Sequence, residues 1–133
     1  MTLILEHKLP TRTPFALNIA VSLAVVQAIE TSIPAIQSKD LLIKWPNDIM
    51  LKGAKAGGIL IENSWRGNSW SSATIGIGLN LAGTPPFPNA TRLIPEGQSS
   101  PEVLHNLRQA ILNKTDDRLA EMVHPTSLLQ QFH

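Results

Sequence analysis

Cysteine is absent from the sequence. That excludes a disulfide scaffold, a thiolate metal site and a cysteine nucleophile, and it fits a cytoplasmic protein. Charge of one sign is scarce as well: 11 Lys and Arg stand against 10 Asp and Glu, a formal net charge of +1, with no basic block. Nothing therefore points to nucleic acid or to an anionic membrane surface as a partner. A membrane-length apolar run is also missing. Residues 14–29 are rich in Ala, Val, Leu and Ile, but Asn18, Ser22 and Gln27 interrupt them and they fall short of the roughly 20 residues a bilayer needs. They predict a buried helix covered on more than one face. Met1 is followed by a strand-like segment and not by a basic stretch, which argues against a secretory signal. What remains is 43% hydrophobic and 16% charged over 133 residues, a globular composition large enough for one core.

Thr2–Glu6 reads as a strand, broken by Lys8-Leu9-Pro10-Thr11. Thr13 is expected to cap the apolar helix, with Pro14 in its first turn, where a missing N–H costs little. Residues 41–45 read as a buried strand ending at Pro46. Residues 49–51 and 58–65 are apolar runs joined by Lys52-Gly53-Ala54-Lys55, a hairpin signature. Residues 69–81 follow after a Gly67-Asn68 turn, so three sequential strands predict an antiparallel meander. Residues 83–100 carry four prolines and predict an irregular excursion. Ser99 and Glu102 then match a capping box, and Val103, Leu104, Leu107, Ile111, Leu112, Leu119 and Met122 form a one-sided apolar stripe. Pro125 should end that helix, with a short helical piece at 127–132. The class expected is α+β, a mixed, largely antiparallel sheet with flanking helices.

The chemistry concentrates in residues 44–62. Pro46 fixes its own φ, so Asn47 and Asp48 project from a rigid turn. Lys55 follows at the far end of the hairpin turn, and Gly57-Gly58 leave the backbone bare to a close ligand or a neighbouring chain. A carboxylate, an ammonium and bare N–H groups suit a phosphate-handling site, where the carboxylate can hold Mg²⁺ and the ammonium neutralises phosphoryl oxygens. The same residues also satisfy ordinary turn chemistry.

Lys44-Trp45-Pro46-Asn47-Asp48-Ile49-Met50-Leu51 and Lys55-Ala56-Gly57-Gly58-Ile59-Leu60-Ile61-Glu62 resemble the central signature of biotin protein ligases. Gly76-Ile77-Gly78-Leu79-Asn80-Leu81 resembles that family's next motif, and the three blocks keep its order and spacing. The resemblance covers most of residues 2–80 and makes 1–133 a partial biotin/lipoate ligase-type catalytic domain. It implies a two-step reaction: biotin and ATP give biotinyl-5′-adenylate and pyrophosphate, and a lysine of a biotin carboxyl carrier protein then takes the biotinyl group. By the resemblance, Lys55 and Asp48 are catalytic and Asp48 holds Mg²⁺. Trp45, Asn47 and Asn80 lie near the nucleotide, Gly57, Gly58 and Ile59 form part of the biotin wall, and Gly76 with Gly78 let a strand pass close to the ligand. Trp45 reads equally as core filler, and the two strand glycines as packing residues.

The family's Gly/Arg-rich loop, which precedes the strand that Thr2–Glu6 resembles, has no counterpart in this sequence, nor has its C-terminal β-barrel or any DNA-binding segment. The expectation is a poor ligase when this chain acts alone, with exposed sheet edges that favour a homo-oligomer. A lipoate ligase and a non-catalytic remnant that binds biotin, nucleotide or carrier are the rival readings. His7, His105, His124 and His133 lack ligand spacing. Trp65 and Trp70 are expected to pair across a hairpin, Lys52 to be solvated, and Arg108, Lys114 and Arg118 to face water. Asn89-Ala90-Thr91 matches a glycosylation acceptor without a secretory signal.

Overall fold

The computed structural model describes residues 1–6, 14–85 and 87–121. Outside them lie the break at Lys8-Leu9-Pro10-Thr11, the Thr13 cap, Met122, Pro125, the helical piece at 127–132, and His7, His124 and His133. The elements run β1 (Thr2–Glu6), α1 (Pro14–Ser32), β2 (Leu41–Lys44), β3 (Asp48–Leu51), β4 (Ala54–Arg66), β5 (Ser69–Leu79) and α2 (Pro101–Glu121), with a 3-10 turn at Ser38–Asp40 before β2. The strands form one sheet in the order β1-β5-β4-β3-β2. Every named pair is antiparallel. The sole parallel pairing among the described residues is an isolated bridge between Lys55 and Ala90.

Alternation along the strands divides the sheet into two faces. Leu41, Ile49, Ile59, Ala73, Ile75 and Ile77 are buried on one of them. Against that face pack Leu17, Val21, Val25 and Ile29 of α1 and Leu107 and Ile111 of α2. Helix α1 has the length and mean hydropathy (1.5) of a membrane span, yet more than half of it is buried within the fold. It is apolar nearly all round because it meets both the sheet and α2. The opposite face carries Ile4, Leu42 and Leu60 exposed.

The turns follow their residues. Lys52 and Gly53 both have positive φ, the requirement of a two-residue type I′ hairpin. Strand β4 therefore starts at Ala54 and takes Lys55 out of the turn. Trp65 and Trp70 stack across the next hairpin at 6.3 Å between ring centroids. The cap of α2 sits one residue later than the sequence pattern suggests. Val103 donates its backbone N–H to Ser100 Oγ at 3.2 Å, so Ser100 is the N-cap and Pro101 occupies the first helical position. The excursion between β5 and α2 is irregular but anchored, with Leu93 and Ile94 buried in the core.

Candidate functional site

The site is assembled on the face of the sheet that the described helices leave uncovered, where β3, β4 and β5 run side by side. Asp48 pairs with Gly58, and Gly58 with Gly78, in a single row across three strands. The Trp45-Pro46-Asn47 turn that launches Asp48, with a cis Trp45–Pro46 peptide, is fastened to β4. There Ile59 donates its N–H to the Asn47 carbonyl at 2.9 Å.

Lys55 reaches this row through a bulge. Ile49 pairs with Gly57 but Met50 pairs with Lys55, so Ala56 is the extra residue of β4. One extra residue reverses the facing of everything before it. Ala56 is thus buried in the core, and Lys55 stands on the face that carries Gly58. Lys55 Nζ lies 3.0 Å from Asp48 Oδ1, with the two side chains 50% and 29% exposed. The ammonium passes directly over Gly58, 3.9 Å from where a Cβ would stand on it.

Two depressions meet at this ion pair. One, of about 420 Å³, is lined among others by Thr2, Asn47, Asp48, Leu60, Gly76 and Ile77. The other, of about 340 Å³, is lined by Leu79, Asn80, Phe87 and Ala90 among others. Lys55, Gly58 and Gly78 belong to both.

The glycines are not equivalent. A Cβ on Gly57 would fall 2.5 Å from the Gly78 carbonyl oxygen and 2.6 Å from a Leu79 methyl, so β4 and β5 require glycine there. A Cβ on Gly78 would meet nothing within 4 Å, and one on Gly76 only the Leu60 carbonyl at 3.7 Å. Glycine in a strand interior costs roughly 0.5–1 kcal/mol relative to alanine. Packing does not account for Gly76 and Gly78, and the space they leave is the floor of the first depression.

Residues 1–80 match the biotin/lipoate A/B protein ligase family, more than half of the 133-residue chain. The chain belongs to this family. Among similar proteins, the biotin–[acetyl-CoA-carboxylase] ligase of Paracoccus denitrificans is 53% identical over 45 residues, 34% of this chain and 19% of that one. The enzyme of the same description from Mycobacterium tuberculosis is 29% identical over 107 residues, 79% of this chain and 38% of that one. The crystal structure of the Leishmania major biotin protein ligase in complex with biotinyl-5-AMP superposes with a TM-score of 0.73 at 22% identity, covering 98% of this chain and 57% of that one. The Aquifex aeolicus biotin protein ligase in complex with biotin and ATP gives a TM-score of 0.69 at 21% identity, covering 90% and 49%. The chain therefore spans well under half of these curated relatives and about half of the solved ones.

Within this member of the biotin/lipoate ligase family, Asp48, Lys55, Asn47, Gly58, Gly76, Gly78 and Asn80 are brought together at the two depressions. Gly57 and Ile59 line the second and the first depression respectively, although Gly57 is buried between strands and the Ile59 side chain is buried in the core. One expected site residue is placed elsewhere. Trp45 tilts against Phe15 of α1 with ring centroids 5.3 Å apart, and it is not among the residues lining either depression. Sequence reasoning misses Thr2, Leu60, Phe87 and Ala90. Phe87 and Ala90 lie in a stretch with no periodic signal, whereas the exposed position of Leu60 follows from the alternation of β4.

For a divalent cation the donor set is thin. No group of three or more His, Asp or Glu side chains exists among the described residues, and Asp48 is the one carboxylate lining either depression. Magnesium is commonly held by one or two carboxylates with substrate phosphates and water completing its octahedron. Asp48 fits that arrangement as a single protein ligand, and it has to share its charge with Lys55.

Proposed function

We propose that the chain carries the site of an ATP-dependent biotin activation, the first half of protein biotinylation. The observation behind this is the Lys55–Asp48 pair at the junction of two depressions, over glycines that packing does not explain. The glycine-floored depression, with Leu60 and Ile77 beside it, suits the compact apolar body of biotin. The second, with the flat ring of Phe87 and the amide of Asn80, suits a nucleobase that stacks and bonds through its edge.

The reacting atoms then fall at the junction. A biotin carboxylate oxygen attacks the α-phosphorus of ATP, the bond to the bridging oxygen breaks, and pyrophosphate leaves. Lys55 draws the two anions together and neutralises charge on the α-phosphoryl oxygens, a role of positioning and electrostatics. Asp48 orients the ammonium and would hold Mg²⁺, which when bound supplies charge neutralisation for the leaving pyrophosphate. In the second half a lysine amine of the acceptor, a biotin carboxyl carrier protein, attacks the acyl carbon and AMP departs. A cytoplasmic setting accords with these substrates.

Calorimetry on the 133-residue chain tests the reading, with biotin, lipoate and ATP titrated separately. Biotin should bind more tightly than lipoate. Lys55→Ala should weaken biotin by at least about tenfold, as expected for losing a charge-assisted hydrogen bond, with the unfolding midpoint nearly unchanged because exposed ion pairs contribute roughly 0–1 kcal/mol. Tighter lipoate binding would make the chain a lipoate-type ligase domain. Biotin affinity unaltered by Lys55→Ala would remove the assignment.

A further inference from the structure

We infer that the stretch from Asn89 to Thr91 is a positioning element for the Lys55 ammonium, acting through the lysine's backbone, with Thr91 the principal positioning residue. The bulge at Ala56 brings Lys55 onto the open face, but it also breaks the regular ladder at that residue. Strand β5 is leaving as well. Leu79 is its last residue paired with β4, and Asn80 donates its N–H to the Ala56 carbonyl at 2.7 Å as the chain turns away.

The loop moves into the vacated slot. Lys55 donates its N–H to the Asn89 carbonyl at 3.0 Å, and the Lys55 carbonyl accepts the Thr91 N–H at 2.8 Å. This is the isolated parallel bridge centred on Ala90. Asn80 Nδ2 adds a longer contact to the same carbonyl, at 3.4 Å. Both backbone groups of Lys55 thus point away from β3, and the loop holds them. The loop is fixed in turn by Leu93 donating to the Asn80 carbonyl and Ile94 to that of Leu81, both at 2.8 Å, with both side chains buried. A lysine side chain is long and freely rotating, so its head is placed only as well as its Cα is held. Asp48 steadies the head, and the bridge steadies the root.

The inference rests on the reading of Lys55 as the reactive cation, but its test needs no ligand, so the two can fail separately. The whole 133-residue chain is treated with formaldehyde and cyanoborohydride, and methylation of Lys55 is followed by peptide mass spectrometry relative to Lys52, an exposed neighbour. Thr91→Pro deletes the donor to Lys55, while Ala90→Pro deletes only the Ala90 N–H bond to the Phe87 carbonyl. Both prolines enter backbone outside any helix or named strand, where proline is best tolerated.

The Lys55-to-Lys52 ratio should rise about fivefold in Thr91→Pro, the factor that goes with losing one net hydrogen bond, and stay unchanged in Ala90→Pro. An unchanged ratio in a cooperatively folded Thr91→Pro variant overturns the inference. Equal rises in both variants overturn it too, because they would reflect general loosening of the loop. Should Thr91→Pro not fold, hydrogen exchange on the unmodified chain replaces it: slow exchange of the Lys55 and Thr91 amides, the two donors of the bridge, supports its hold on Lys55, and exchange as fast as in an unstructured peptide refutes it.

Discussion

Two glycines that look alike in the sequence do opposite work in the structure. Gly57 lies where β4 and β5 come closest, and a methyl on it would stand only 2.5 Å from the Gly78 carbonyl oxygen. Backbone cannot yield cheaply, so Gly57→Ala should destabilise the fold by about 1–3 kcal/mol, the range for overpacking. Gly78→Ala has open space around it and should leave stability equal or raise it by about 0.5–1 kcal/mol, while filling the depression and weakening biotin. Urea denaturation paired with biotin calorimetry separates the two. Similar stability losses in both variants would mean that Gly78 is also a packing residue. Sequence reasoning finds both glycines but cannot divide their roles, because that division depends on which strand lies opposite. It finds Lys55 and Asp48 as chemistry-bearing residues for a similar reason in reverse: their charge is visible without a fold. The bulge that brings Lys55 to the face of Asp48 is not legible, since one extra residue in a ladder leaves no mark on composition.

Among the elements, the meander is legible because its turns carry their own chemistry. Lys52-Gly53 and Gly67-Asn68 close hairpins where the pattern places them, and only strand ends differ by a few residues. Helix α2 is less legible. Its stripe continues from Leu107 and Ile111 to Thr115 and Arg118, all buried, at the spacing of one helical face. The sequence pattern puts Arg118 on the solvated side with Arg108 and Lys114, because a charge at a stripe position looks like a polar face. The structure corrects this: Arg118 is 6% exposed, with Nε donating to Gln27 Oε1 of α1 at 3.3 Å and Nη1 to Glu121 Oε2 at 3.1 Å. Glu121 is open enough to recover water, so the loss on deletion comes from Gln27 and from the buried stem. Arg118→Ala should cost about 1.5–3 kcal/mol, against less than about 0.5 kcal/mol for the exposed Arg108→Ala. Equal unfolding midpoints for the two variants would show that α1 and α2 hold together without that link.

On the scale of the whole molecule, the described residues form a sheet with both of their helices on one face. The site uses the middle of the other face, which explains its glycines and its accessibility, but that face also leaves apolar side chains in water. Ile4 is 63% exposed, Leu60 60% and Leu42 52%. Ile4 lies on β1 and Leu42 on β2, the two edge strands of the sheet, so apolar surface coincides with edges that no further strand among the described residues pairs. Edge strands with exposed apolar side chains template association, and Lys44, exposed beside Leu42 on β2, is a single charge against it. A net charge of +1 supplies little repulsion to oppose it. The purified chain should therefore self-associate: its sedimentation coefficient should rise with concentration across the micromolar range. Replacing Ile4 and Leu42 together by lysine adds a charge to each edge without touching either depression, and should return the boundary to that of a monomer. Biotin binding should survive that double substitution, because neither residue lines the site. A single monomeric boundary for the unmodified chain at every concentration would show that this face is tolerated bare. A double variant that still associates would move the contact away from the edge strands.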